Sequence, residues 1–281
     1  MRYRRALKKG YQKLAESGEQ VTENLLIEIY REIMDCQDGF REKPVYVGNR
    51  AEQRIVYTPP KDPTEVAILM RSLLHYVNDN SPSPLDPLIR MALFHFQFES
   101  IHPFPDGNGR VGRILNVLYL TKMGLLDSPL LYLSRMILHT KERYYRLFRS
   151  VQEEGAWEDW VLYMLSVVED TSRGSLQLVS GIHKLMGEYK FRMRETLPKL
   201  YSQDLLNNLF RHPYTRVQHV QRELEISRAT ATRWLGQLAN TGLVEKHRVG
   251  RGDYYVNTEL CKLLLEASRP PQRDPLIQIS P

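Results

Sequence analysis

Apolar residues recur at helical spacing along most of the chain, and this pattern predicts a mainly α-helical protein. Asp62 and Pro63 are residue types typical of a helix start, and an apolar stripe follows from Val66 to Val77 at the spacing of a core-facing helix. A second helix is predicted from Pro87, and its sequence is apolar almost all round through Phe98, as expected at the centre of a domain. Three further helical patterns run from about residue 134 to residue 198.

Strand patterns are rare in the first two thirds of the chain. Residues 45–47 and 55–57 are rich in Val, Ile and Tyr, and a short polar segment with glycine separates them. Two such runs close together predict one β-hairpin on a helical body.

The pattern changes from about Tyr201. A short helix around Val217 and a second helix that Ser227 can cap are followed by two strand patterns, at 243–246 and 254–256. This order predicts a winged helix-turn-helix domain over 201–268, after a first domain over 1–200. The proline-containing segment 269–281 is predicted to be disordered.

Composition narrows the classes of protein. A chain of 281 residues fits two compact units, and its net charge of +6 suits a nucleotide, a nucleic acid or an acidic protein as partner. No apolar run approaches the length of a membrane span, and the basic N-terminus lacks the features of a secretory signal. The two cysteines stand far apart without a histidine companion, which excludes a cysteine zinc cluster and favours a reduced compartment. We therefore expect a cytoplasmic protein.

The chemically informative segment is the loop 102–113, with the sequence HPFPDGNGRVGR. Gly107, Asn108 and Gly109 come where a helix resumes, so their backbone N–H groups and the positive helix end can bind phosphate together. Arg110 and Arg113 can bind further phosphate oxygens. The loop therefore predicts a site for a nucleotide polyphosphate.

Two more side chains of this loop carry reactive groups. His102, as a neutral imidazole, can accept the proton of a hydroxyl that attacks phosphorus, and the nearby positive helix end favours its neutral form. Asp106 is the one acid at the rim of the loop and can bind Mg²⁺ against the phosphates, although capping of the following helix is a second role open to it. Together these groups predict phosphoryl or nucleotidyl transfer. The sequence lacks the lysine of a P-loop and the motifs of a protein kinase.

The same segment resembles the Fic signature H-x-F-x-[D/E]-G-N-G-R-x-x-R at all eight of its specified positions. Similar residues to those of Fic proteins also occur at 57–60, 96–99, 132–135, 144–145 and 157–160, so that the resemblance covers roughly residues 1–169. The tail of the chain is similar to the winged helix found in a bacterial Fic subgroup.

The resemblance implies a helical core with a β-hairpin flap at about 43–58 and transfer of AMP from ATP to a Ser, Thr or Tyr hydroxyl of a protein. It assigns the base to His102 and Mg²⁺ to Asp106, and it gives ATP binding to the loop residues and to helical tyrosines: Gly107, Asn108, Gly109, Arg110, Arg113, Tyr144 and Tyr145. Gln152 is a further neighbour of the adenine. The flap residues Ile55, Val56 and Tyr57 would align the target segment by strand addition.

Several alternatives stay open at this stage. Relatives with the same loop transfer another nucleotide or phosphocholine, or remove AMP. Many Fic proteins are inhibited by a helix with the pattern [S/T]-x-x-x-E-[G/N]. In the subgroup that this chain resembles, that helix lies N-terminal to the stretch that begins near Arg2. Segment 150–155 also fits the pattern, and we interpret this match as chance. Native freedom from restraint, a missing N-terminal inhibitory helix and a separate inhibitory protein are the alternatives. A homodimer is also left open.

The winged helix leaves a choice between DNA and a protein partner. Basic residues cluster where a DNA-binding version would need them, on the second helix and on the wing; those selected as DNA contacts are Arg228, Arg233, Arg248 and Arg251. Winged helices also dock proteins, and fold does not fix function. A DNA-binding regulator with a nucleotide-sensing N-terminal domain is the rival hypothesis to the enzyme.

Overall fold

The computed structural model describes residues 2–49, 54–250 and 252–268 of the chain. The chain divides into two compact units, Met1–Ser172 and Arg173–Pro281, and the division falls inside one long helix, α8. The domain boundary expected near residue 200 therefore stays a prediction. The tail expected to be disordered lies outside the described residues.

The first unit is mainly helical. Its elements are α1 Arg2–Glu16, α2 Glu23–Met34, β1 Val47–Asn49, β2 Arg54–Tyr57, α3 Pro63–Asn78, α4 Pro87–Ile101, α5 Asn108–Lys122, α6 Leu133–His139, α7 Lys141–Glu154 and the first part of α8 Trp157–Thr196. The predicted helix starts are confirmed: Asp62 accepts a hydrogen bond from the backbone N–H of Thr64, and Asp86 accepts one from Leu88. Helices α4 and α5 supply much of the core, with Phe98 and Leu118 fully buried.

The hairpin predicted between residues 45 and 57 is present as the antiparallel pair β1–β2. Its first strand begins at Val47, two residues later than the pattern predicted. Val47 pairs with Tyr57, so an extended ladder would place Val45 opposite Pro59. A proline has no backbone N–H to donate, and the ladder therefore ends here.

Helix α1 packs closely on α2. Gly10 faces Ile29, and a Cβ at this glycine would lie only 3.0 Å from Ile29 Cδ1. Basic residues of α1 pair with acids of α2 and its C-cap, among them Arg5 with Glu32 at 2.6 Å. These ion pairs are partly exposed and therefore worth little stability each.

The second unit continues from α8 with α9 Gln203–Arg211, β3 Tyr214–Thr215, α10 Val217–Glu223, α11 Arg228–Asn240, β4 Glu245–Val249, β5 Gly252–Val256 and α12 Thr258–Ser268. The sheet has the order β3-β5-β4, and all its pairs are antiparallel. Ser227 caps α11 as predicted, by accepting from the N–H of Thr230. The first strand after α11 begins at Glu245 and not at Leu243, because Leu243 and Val244 are buried in the core of this unit.

None of the helices in the described ranges is both long and apolar enough to cross a membrane.

Candidate active site

The loop between α4 and α5 has an unusual backbone at both ends. His102 adopts the left-handed conformation, with φ 50° and ψ 59°, and its N–H donates to Phe98 O at 3.0 Å. Gly107 is also left-handed, with φ 76°, and precedes the first residue of α5. A left-handed residue is easy for glycine and costs free energy for histidine, so the surrounding contacts must hold His102 in place.

The side chain of Asn108 closes the loop. It accepts from Phe104 N and donates to Phe104 O, both at 2.8 Å. Phe104 is fully buried and stacks on Tyr30 with 4.2 Å between ring centroids, so it anchors the loop in the core. What Asn108 offers a ligand is therefore its backbone N–H, which like that of Gly109 lies in the first turn of α5, where a helix has no acceptor of its own.

The hydrogen bonds of His102 select one tautomer of its ring. Nδ1 lies 3.2 Å from Glu99 O, so Nδ1 carries the proton and donates, and Nε2 remains as an acceptor. The pKa of His102 is lowered to about 4, mainly by burial and also by the positive charge of Arg41, while the hydrogen bond to Glu99 O and the charge of Asp106 act in the opposite direction. The ring is therefore neutral near pH 7, as a general base needs. Burial, more than the helix end invoked from the sequence, is the cause.

The structure places the predicted loop and helix residues around a single cavity of about 480 Å³. The predicted residues that line it are Tyr57, His102, Asp106, Gly107, Asn108, Gly109, Arg110, Arg113, Tyr144 and Tyr145. The imidazole and the N-terminus of α5 thus face one space, which is large enough for a small-molecule ligand. Gln152 is exposed on α7 and does not line this cavity.

The two arginines of the loop have different surroundings. Arg113 Nε donates to Ser134 Oγ at 2.8 Å, and Ser134 in turn donates to Tyr3 Oη at 3.3 Å. This chain of contacts orients one edge of the guanidinium and leaves its other nitrogens for a ligand. The side chain of Arg110 is 41% exposed, and its Nη2 lies 2.9 Å from the sulfur of Met34 and 4.0 Å from Asp106 Oδ2.

Asp106 stands at the rim of the cavity with a side chain that is 78% exposed. One of its oxygens accepts from the N–H of Gly107 at 2.6 Å, and the other is directed to Arg110. Magnesium in nucleotide sites is commonly bound by one or two carboxylates together with phosphates and water. A single accessible carboxylate beside the first turn of α5 fits that kind of site.

The two tyrosines of α7 differ in what they can offer a ligand. Tyr144 is buried, and its hydroxyl forms a hydrogen bond with His95 Nε2 at 3.2 Å. Tyr145 is half-buried and stands edge-on to Tyr144, with 5.3 Å between centroids. Burial raises the pKa of both hydroxyls. The Tyr145 ring is the more accessible face for a base, whereas Tyr144 belongs largely to the core.

Two residues near the cavity were not selected from the sequence. Glu99 lines the cavity, its Oε1 has no hydrogen-bond partner among the described residues, and burial raises its pKa to about 7. Arg41 is buried and donates to backbone carbonyls, including His102 O. An acid inside an otherwise apolar helix was the available signal for Glu99. Arg41 stands in an irregular segment, where no periodicity marks a buried side chain.

The predicted flap is described only in part. Tyr57 packs edge-on against Phe148, with 5.9 Å between centroids, and both line the cavity. Ile55 and Val56 belong to β2, but their side chains lie outside the described residues.

The residues predicted to contact DNA lie in the second unit. Arg228 and Arg233 are exposed on α11, and Arg248 is exposed on β4. Arg251 lies outside the described residues. Two other basic residues of β4 have acidic neighbours, Lys246 with Asp253 at 2.9 Å and His247 with Glu245 at 3.3 Å.

Comparison with family models finds two matches along the chain. Residues 20–120 match the Fic/DOC family, and residues 185–260 match the C-terminal domain described as "Protein adenylyltransferase SoFic-like". The first match contains the whole loop 102–113.

Curated relatives are similar over a little more than half of the chain. A probable protein adenylyltransferase of Aquifex aeolicus is 32% identical over 179 residues, which are 61% of this chain and 48% of the relative. The protein adenylyltransferase Fic of Drosophila virilis is 29% identical over 157 residues, 54% of this chain and 29% of the relative. The chain thus spans about half the length, or less, of these relatives.

A solved structure shares the fold. The crystal structure of a Fic family protein from Desulfovibrio desulfuricans G20 aligns with a TM-score of 0.52 at 22% identity, over 90% of this chain and 73% of that one. At this identity the similarity supports the fold and no shared ligand.

Proposed function

This chain belongs to the Fic/DOC family and carries a SoFic-like C-terminal domain, and from that premise we propose that it is a protein adenylyltransferase. It transfers AMP from ATP to a Ser, Thr or Tyr hydroxyl of a target protein and releases pyrophosphate. The observation that carries the proposal is the shared cavity: a neutral imidazole with a free Nε2 and the N-terminus of α5 face the same space.

The reaction follows from these positions. The α- and β-phosphates of ATP bind at the N–H groups of Asn108 and Gly109, where helix-end amides favour an anion. His102 Nε2 accepts the proton of the target hydroxyl while the hydroxyl oxygen forms a bond to the α-phosphorus. The bond between that phosphorus and the oxygen bridging to the β-phosphate breaks, and pyrophosphate leaves with the electron pair.

Charge on the leaving group is stabilised by the arginines. Arg110 and Arg113 bind the outer phosphate oxygens, and the contact from Ser134 orients Arg113 for this role. Asp106 would hold a magnesium ion, which would supply further positive charge beside the polyphosphate. Tyr145, with Tyr144 behind it, borders the adenine.

The hairpin β1–β2 is the proposed docking edge for the target segment, through Ile55, Val56 and Tyr57. A strand of the target added to this edge would gain backbone hydrogen bonds whatever its side chains are. The reducing cytoplasm is the proposed location, since both cysteines are free and half-buried.

Labelling with two forms of radioactive ATP tests the activity. Purified protein, alone and with a cell lysate, is incubated with ATP labelled at the α- or at the γ-phosphate. Label in protein is expected from α-labelled ATP alone, because AMP keeps the α-phosphate and kinase activity would transfer the γ-phosphate. His102→Ala is expected to reduce labelling about 10²- to 10⁴-fold.

His75→Ala is the matched control, since His75 is an exposed histidine on α3 that does not line the cavity. Persistent labelling by His102→Ala, or label from γ-labelled ATP alone, contradicts the proposal. Intact-mass spectrometry after incubation with each nucleoside triphosphate separates AMP from other nucleotides. Release of AMP from a modified protein would instead favour the reverse reaction.

A second candidate function belongs to the C-terminal unit, which we propose to be a winged helix that binds DNA while the Fic domain senses nucleotide. The supporting observation is the exposed surface of α11. It carries Arg228 and Arg233, and the helix contains no acidic residue. Such a surface suits a helix that lies in the major groove.

Gel-shift titrations at several salt concentrations test this function. Arg228→Glu combined with Arg233→Glu is expected to weaken binding and to lower the slope of log K against log salt, by about one for each phosphate that the variant no longer neutralises. Arg4→Glu combined with Arg71→Glu is the matched control, because it changes net charge equally at exposed sites of the other unit. Equal weakening by both double variants, or binding unaffected by either, contradicts a recognition surface on α11.

A further inference from the structure

Arg41 is one of the buried charged residues of the first unit. It lies between α2 and β1 and is 3% exposed. Its guanidinium donates to four backbone carbonyls: Nε to His102 O at 2.8 Å, Nη2 to Pro60 O at 2.5 Å and to Ile101 O at 3.3 Å, and Nη1 to Lys43 O at 3.3 Å. A buried guanidinium is tolerated when its donors are satisfied in this way.

The residues next to this guanidinium contact the same loop. The backbone N–H of Arg41 donates to Pro103 O at 2.8 Å, and the ring of Phe40 packs edge-on against Phe104 with 5.3 Å between centroids. Residues 40–41 therefore contact every residue from Ile101 to Phe104, through hydrogen bonds to three carbonyls and one aromatic contact. This segment fixes the path of the chain as it leaves α4.

The guanidinium of Arg41 contacts the backbone at the end of α4, where carbonyls lack helical partners and His102 is left-handed. The carbonyls of Ile101 and His102 lie at the C-terminal end of α4, where a helix leaves its last acceptors without partners and favours a positive charge. His102 is left-handed and is followed by a proline, which further restricts its backbone. A cation that holds the carbonyls on both sides of the His102 Cα stabilises a conformation that histidine does not adopt readily.

The same guanidinium also reaches the two ends of the hairpin segment. Lys43 O precedes β1 and Pro60 O follows β2, so one side chain connects the base of the hairpin with the histidine. We propose that Arg41 is a positioning residue for AMP transfer, which fixes the left-handed backbone of His102 and ties the base of the β1–β2 hairpin to the same point. The inference rests on the proposed function of His102 as the base.

Arg90 offers a matched control in the same unit. It is 4% exposed, and its Nη2 donates to the carbonyls of Tyr76 at 2.8 Å and Asp79 at 3.0 Å. It does not line the cavity. Replacement of either arginine removes a buried cation from backbone carbonyls, but only Arg41 holds the loop that bears His102.

The test compares Arg41→Met, Arg41→Lys and Arg90→Met in the full chain. Arg41→Met is expected to lower kcat of AMP transfer about 100-fold with little change in the KM for ATP, because the base is displaced while the phosphate-binding turn remains. Arg41→Lys is expected to recover part of that loss, since an ammonium satisfies some of the four carbonyls. Arg90→Met is expected to keep kcat near that of the wild type once the folded fraction is taken into account.

Hydrogen exchange supplies a readout that does not need activity. In Arg41→Met, and to a smaller extent in Arg41→Lys, faster exchange is expected at the amides of His102 and Phe104 and in β2, with no such change in Arg90→Met. Equal losses of kcat in the two Met variants, or unchanged exchange in both Arg41 variants, would overturn the inference. If the wild type transfers no AMP, the proposed function fails, and the exchange data alone decide whether Arg41 positions this loop. If Arg41→Met does not fold, Arg41→Lys carries the same comparison.

Discussion

The loop 102–113 and the exposed surface of α11 with β4 both carry arginines that were selected from the sequence, but the structure places them very differently. In the loop, Arg110 and Arg113 face the same cavity as His102 and the N-terminus of α5. In the second unit, Arg228, Arg233 and Arg248 are exposed to solvent on two separate elements, and the neighbouring Lys246 and His247 contact acidic side chains.

The predicted catalytic site and the predicted DNA contacts differ in how much geometry each of them requires. A catalytic site requires several groups at one point, and a backbone with two left-handed residues can bring them there. A nucleic-acid surface requires only exposed positive charge, which composition supplies without fixing a geometry. Convergence on a cavity is therefore much stronger support for chemistry than exposure of arginines is for DNA. Variants made in parallel in the two units sharpen this contrast.

Two buried asparagines provide the largest expected difference. Asn108 bonds Phe104 N and O in the loop, and Asn257 accepts from Tyr189 Oη and from the N–H of Leu260 in the second unit, both at 2.9 Å. Replacement by alanine removes the partner of two buried groups in each case, and Asn257→Ala also removes the donor to Leu209 O at 3.4 Å. We expect each change to cost about 2–4 kcal/mol. Asn108→Ala is also expected to lower AMP transfer about 100-fold, because the phosphate-binding turn loses its shape.

Thermal unfolding and transfer assays at 25 °C check this expectation. Asn257→Ala should lose stability without losing activity in the folded protein. Similar losses of activity in both variants would mean that the assay follows stability alone. The expected specific effect of the loop on activity would then be contradicted.

How far the sequence predicted the loop depends on the range of the interactions involved. The grouping of His102 to Arg113 around one cavity could be predicted because these residues are close in sequence and the helix start is local, whereas their chemical roles remain a prediction. Arg41 could not, since its role arises from contacts with residues 60 and 101–102, which are distant in sequence. The start of β1 was wrong by two residues because Pro59 limits the ladder from the opposite strand.

In the second unit, too, elements that follow local rules were predicted and those that depend on distant contacts were not. Helix α11 and its Ser227 cap follow local rules and were predicted correctly. Strand β3 and helix α12 were not predicted. Strand β3 has only two residues and depends on pairing with β5, which lies about forty residues further along the chain. The DNA contacts remain a prediction, since an exposed arginine has the same surroundings whether or not it meets a phosphate.

The contributions of two glutamates, one in each unit, to the free energy of unfolding are expected to change with pH in opposite directions. Burial raises the pKa of Glu99 to about 7, so the folded protein binds more protons than the unfolded chain between about pH 4.5 and pH 7, and the contribution of Glu99 to stability falls as the pH rises through this window. Burial also acts to raise the pKa of Glu223, but hydrogen bonds from Asn208 and Arg211 bring it below its usual value. Its contribution is present above the ordinary carboxyl pKa and is lost as the pH falls through the lowered one.

Urea unfolding at pH 5.5 and pH 8.5 measures both effects. Relative to the wild type, Glu99→Gln is expected to gain about 2–3 kcal/mol at pH 8.5 and much less at pH 5.5, because the neutral amide avoids an ionised, buried carboxylate. Glu223→Gln is expected to lose stability at pH 8.5. A stability difference for Glu99→Gln that does not depend on pH would show that this carboxyl does not titrate in the window.

Two helical glycines give the smallest expected effects, again with opposite sign. A Cβ at Gly112 of α5 would lie 2.6 Å from Glu99 Oε1 and 3.0 Å from Phe98 Cδ1, whereas a Cβ at Gly236 of α11 meets nothing within 4 Å. Gly112→Ala is expected to destabilise by about 1–3 kcal/mol, since the packed Phe98 ring must shift. Gly236→Ala is expected to stabilise by about 0.5–1 kcal/mol, because alanine is the better helix former. Unfolding free energies measured in urea at one pH test both expectations. If Gly112→Ala also stabilised the protein, the contact between Glu99 and α5 could not be as close as the structure places it, and the contrast between the tightly packed loop 102–113 and the open surface of α11 would disappear.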